Sequence, residues 1–105
     1  MRRVALPRDS AAESAAEVLR RVGMGERGAA RRCVDVFGPM VAALARRSVP
    51  PADVDDAVQD IFLALWQSAA RYDATLASPA TFVAMIARRR LIDRRRARLR
   101  LPPLE

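Results

Sequence analysis

The chain has 105 residues and is 51% hydrophobic, but 21 residues are alanine and only 26 are Leu, Ile, Val or Phe, so one small helical domain with a thin, close-packed core is expected. One cysteine and no histidine exclude a disulfide framework, a thiolate zinc site and His-based catalysis or metal binding, so neither a metal nor another cofactor is expected. The formal charge is +7, from 19 basic residues against 12 acids, and every base is arginine, whose planar fork binds phosphate and stacks on bases.

The opening MRRVALPRDS lacks the apolar stretch of a secretory leader, and no apolar run approaches the ~20 residues of a membrane span. A cytoplasmic protein without membrane insertion is expected. A high-GC genome accounts for arginine over lysine, but not for where the arginines sit.

Asp9 or Ser10 opens a first helix: Ser10 and Glu13 have capping-box spacing, and the run AAESAAEVLRRV ends at Gly23. A second helix begins near Glu26 and reaches Gly38-Pro39, where a missing donor and a ring clash predict a kink or break. The pattern resumes as MVAALARR and stops before Ser48. Pro51 suits the first turn of a third helix, from about Ala52 to Arg71, whose early Asp53, Asp55 and Asp56 complement the helix dipole. The loop YDATLAS follows. It has no dense apolar anchor and is expected to be mobile. Ser78 as N-cap and Pro79 as first helical residue open a fourth helix, which runs to about Arg100 before Pro102-Pro103. No period-two pattern appears. The fold expected is all-α, a compact bundle of three to four helices with a basic C-terminal helix. Residues 1–25 read as an arm with a short helix, 26–100 as the helical domain, and 101–105 as a linker or tag remnant.

Stepping the third helix at ~100° per residue puts Val54, Ala57, Val58, Ile61, Leu65 and Ala69 on a core face flanked by Phe62. Opposite lie Asp56, Asp60, Leu63 and Gln67, with Gln59 at the edge. Asp56, Gln59, Asp60 and Leu63 form one patch, which is either a solvated face with a stray leucine or a docking surface with an apolar centre and a charged rim.

On the fourth helix the same steps turn Phe82, Met85 and Ile86 inward, with Val83 at the margin. They also place Arg89 and Asp93 as an i,i+4 ion pair at the core edge. Arg88 and Arg95 fall on one flank; Arg90, Arg94 and Arg98 fall on the other. The helix's second half is expected to project, and its arginines to attract a polyanion largely without regard to sequence. Four aspartates between 53 and 60 and eight arginines after Ile86 make two separate patches, which implies two different partners. Cys33, among Val34, Val36 and Phe37, reads as core.

The segment DVDDAVQDIFLALWQSAARYD, followed by FVAMIARRRLIDRRR, resembles region 2 of the bacterial extracytoplasmic-function (ECF) sigma factors. The resemblance rests on Asp55, Asp56, Val58, Gln59, Asp60, Phe62 and Trp66, then on Phe82, Ile86, Ala87, Arg88, Ile92 and Asp93, and covers about residues 26 to 98. Two positions depart from it: Arg89 stands where the family commonly has Asn, and Pro79 where it often has Phe.

The resemblance implies a promoter-recognition domain that docks on RNA polymerase core, at the β′ clamp helices, through Asp56, Gln59, Asp60 and Leu63. It implies binding and opening of the minus-ten promoter element by the loop and the helix after it. The residues concerned are Tyr72, Asp73, Ser78, Thr81, Arg88, Arg90, Arg94 and Arg95. An anti-sigma factor is an expected further partner, and the family's second, helix-turn-helix domain is not in this sequence. A small helical DNA-binding repressor without polymerase contact, and a purely structural interaction protein, are the alternatives. An enzyme is not expected, since the chain has few catalytic groups.

Overall fold

The computed structural model describes residues 14–100. The expected opening at Asp9 or Ser10, the Ser10–Glu13 capping box and the stretch 101–105 lie outside the described residues. Four α-helices are present among the described residues: α1 (Ala15–Gly23), α2 (Ala29–Arg46), α3 (Val54–Ser68) and α4 (Pro79–Arg100). Short 3-10 turns precede and follow α3, at Pro51–Asp53 and Ala69–Arg71.

The helix ends follow local chemistry. Ser14, in extended backbone, caps α1: its Oγ accepts the Glu17 N–H at 3.1 Å. The link to α2 turns through Gly25 (φ +75°) and Gly28 (φ +82°), conformations that favour glycine. Ser78 caps α4 in the same manner, its Oγ accepting the Thr81 N–H at 3.1 Å.

Of the kink or break expected at Gly38-Pro39, the break does not occur; α2 continues through Pro39. Proline there removes the donor that would reach the Asp35 carbonyl. Asp35 and Pro39 are both exposed, so water can satisfy that carbonyl. On the opposite face, burial of Cys33, Phe37, Val41 and Ala45 holds the helix continuous.

The core is built on a spacing of four. Cys33, Phe37, Val41 and Ala45 come from α2, Ala57, Ile61 and Leu65 from α3, and Val83, Ala87 and Leu91 from α4. Such i±4 ridges interdigitate well between helices. Val18 and Leu19 of α1 and Phe62 of α3 complete the core. Ala29, Ala45, Ala57 and Ala87 are fully buried, so the helices approach closely at these points, as the composition foretells. Gly23 makes the tightest approach: a Cβ built there would lie 2.8 Å from Ala70 Cα, so the end of α1 rests directly on the backbone of the 3-10 turn after α3.

Candidate nucleic-acid interface and acidic face

The outer face of α3 has the composition expected of it. Asp56, Gln59 and Leu63 are exposed, Leu63 to 49%, while Asp60 is only partly exposed. Ala57, Ile61, Phe62, Leu65 and Ala69 are buried on the other side.

The fourth helix is rotated from the expected placement. Its buried side is Val83, Ala87 and Leu91, while Met85 is 58% exposed. Arg89 and Asp93 are exposed and form no ion pair with each other. The physical reason is that alanine at 87 lets α4 approach its neighbours most closely along that line. Larger apolar side chains at 85 and 92 then fall outside.

The rotation brings Arg90 and Arg94 over α3. Arg90 forks onto Asp60, Nη2 to Oδ1 at 2.8 Å and Nε to Oδ2 at 3.2 Å. Arg94 donates from Nη2 to Asp56 Oδ2 at 3.0 Å and lies 3.8 Å from Asp60 Oδ2. Two arginines and two carboxylates thus form one network. Donation to the Asp60 carboxylate holds the Arg90 guanidinium more firmly charged than usual. Sequence reasoning assigned these four residues to two different partners; the fold brings them together. Arg88 and Arg95 are exposed and make no ion pair among the described residues.

The loop contains the anchor that its sequence seemed to lack. The Tyr72 ring packs on Phe82, with centroids 5.1 Å apart, and its hydroxyl donates to the Ala77 carbonyl at 2.9 Å. Asp73 Oδ1 accepts the Thr75 N–H at 2.8 Å and the Thr75 hydroxyl at 2.6 Å, which lowers the carboxyl's pKa. The Ser78 hydroxyl donates to Thr81 Oγ1 at 3.0 Å. Tyr72, Asp73, Ser78 and Thr81 therefore each shape the loop or its junction with α4. Leu76, which sequence reasoning passed over, stands 81% exposed at the tip. A lone leucine between polar residues has no periodicity to mark it.

Cys33 is fully buried, and burial pushes its thiol up to about 11, an effect eased in part by Trp66. Among the described residues no cluster of His, Cys, Asp or Glu can hold a metal ion, and no helix is long and apolar enough to cross a membrane.

Residues 33–101 match the family described as Sigma-70 region 2. The ECF RNA polymerase sigma factor SigK of Mycobacterium ulcerans (strain Agy99) is 36% identical over 81 residues, which cover 76% of this chain and 43% of that protein. The chain thus spans less than half the length of this relative. No solved structure matches. The matched segment contains most of α2 and all of α3 and α4, including both charged faces and the loop between them, and so the chain belongs to the Sigma-70 region 2 family as a region 2 domain of the ECF sigma factors.

Proposed function

We propose that the domain docks on RNA polymerase core, at the β′ clamp helices, through the outer face of α3. On this reading it recognises the minus-ten promoter element through loop 72–78 and α4, and holds that element open. What supports the reading most is what stays exposed on either side of that network: Leu63 beside Asp56 and Gln59 on α3, and Arg88 and Arg95, without a carboxylate partner among the described residues, on the far flank of α4. Asp56, Gln59 and Leu63 would meet the polymerase, with Asp60 behind them fixing the face to Arg90.

Opening a promoter needs no covalent chemistry. A loop that accepts an unstacked base, beside arginines that hold the strand's phosphates, stabilises the open form over the duplex. Tyr72, Asp73, Ser78 and Thr81 would set the shape of that loop. Arg88 and Arg95 would hold phosphate, and Arg90 and Arg94 would contribute charge from behind. An anti-sigma factor that covers either face would silence the domain. These activities place the protein in the cytoplasm.

The test is binding to core polymerase. The double variant Gln59→Arg/Leu63→Arg should lose core binding in a pull-down while its melting temperature stays unchanged, because neither side chain is buried. Retained binding would refute the docking face, and would favour a DNA-binding protein that makes no polymerase contact there.

A further inference from the structure

The end of α2 and the free flank of α4 enclose a groove of about 270 Å³. Its floor is apolar, made by Leu44, Leu91 and Ile92. Its walls carry Arg47, Arg88 and Arg95, with Ser48 at one end. No carboxylate lines it. Among the described residues none of the three guanidinium groups has an ion pair or hydrogen bond, in contrast to Arg90 and Arg94 on the other flank. Three cations from two helices around one concavity repel one another, and a bound anion relieves that repulsion. The Ser48 hydroxyl donates to the Leu44 carbonyl at 2.9 Å, tying off the last turn of α2 beside Arg47.

Free phosphate would use only the walls. A phosphodiester strand uses both features, since its phosphate oxygens match guanidinium forks and its sugars match an apolar floor. We infer that this groove is a two-helix site for DNA backbone, in which Arg47 of α2 joins Arg88 and Arg95 of α4 on the phosphates while Leu44 and Ile92 lie against sugar. The inference rests on the proposed function, namely that α4 faces DNA, and adds to it a contact from α2. A cation at the C-terminus of α2 also complements the helix dipole, but that role would affect stability and not DNA binding.

The experiment is a salt titration of binding to a fluorescein-labelled oligonucleotide, single-stranded across a minus-ten element and duplex upstream, followed by anisotropy. Arg47→Ala should reduce the slope of log K against log salt by about one, as Arg88→Ala and Arg95→Ala should, and Arg47→Lys should restore most of it. Arg46→Ala, next to the groove but outside its lining, should leave the slope unchanged, and melting temperatures should hold throughout.

An unchanged slope for Arg47→Ala, with reduced slopes for Arg88→Ala and Arg95→Ala, would overturn the groove and leave the proposed function standing. Unchanged slopes for all three, or no salt-dependent binding at all, would overturn both. An equal loss for Arg46→Ala would replace the groove by diffuse attraction. Competition by millimolar inorganic phosphate that depends on Arg47, without any change in oligonucleotide slope, would make the site one for a free anion and overturn the inference.

Discussion

At the level of single residues, Asp60 decides more than any other side chain. It is partly covered and forked by Arg90, and Arg94 lies close enough to lend a second positive charge. Arg90→Ala should therefore lower stability by about 0.5–1 kcal/mol, since its guanidinium is well exposed and solvent screens the pair. Asp60→Asn should cost a similar amount, and Arg89→Ala should cost nothing measurable, because the Arg89 side chain has no partner among the described residues. Thermal unfolding of the three variants checks the order; a loss confined to Arg89→Ala would mean that α4 is turned the other way.

A second titratable site lies on α1, where Arg20, and then Arg21, hold the Glu17 carboxyl down at about 2, from an ordinary 4.5. A depressed carboxyl pKa contributes stability that is present above about 4.5 and lost as pH falls towards about 2. The melting temperatures of the parent and of Glu17→Gln should therefore differ at neutral pH and converge across that acid range.

At the level of elements, α3 was legible and α4 only in part: Phe82 and Ile86 pack against the core as expected, and Met85 does not. The apolar residues of α3 are large and fall on one side, so stepping around the helix finds the face. In α4 the buried line is Val83, Ala87 and Leu91, and alanine carries little weight in such a pattern. Met85, Ile92 and Leu99 fall seven residues apart, are all exposed, and mimic a core stripe. The pairing of Asp60 with Arg90, thirty positions away, depends on how two helices pack, which no local pattern contains. At Pro39, where a kink or break was expected, the helix does not break, because the orphaned carbonyl can face water.

The Gly23 contact was likewise invisible, because it depends on where Ala70 lies. Gly23→Ala must push α1 off the 3-10 turn, and overpacking of this kind costs about 1–3 kcal/mol. A corresponding fall in melting temperature is expected; an unchanged value would show that α1 shifts freely on the turn.

Over the whole molecule, the described arginines divide into those with a carboxylate partner among the described residues and those without. Arg20, Arg90 and Arg94 are engaged internally, while Arg47, Arg88 and Arg95 leave their charge available on one side. The net charge of +7 thus understates how uneven the surface is. The fork from Arg90 to Asp60 has a mechanical consequence as well. It is a strut between α3, the helix we propose for the polymerase, and α4, the helix we propose for DNA. The buried Ala57 of α3 and Ala87 of α4 let the same two helices approach closely. A promoter held on one side would be set in register against the enzyme on the other, with the domain serving as a gauge that fixes their spacing before any strand is parted.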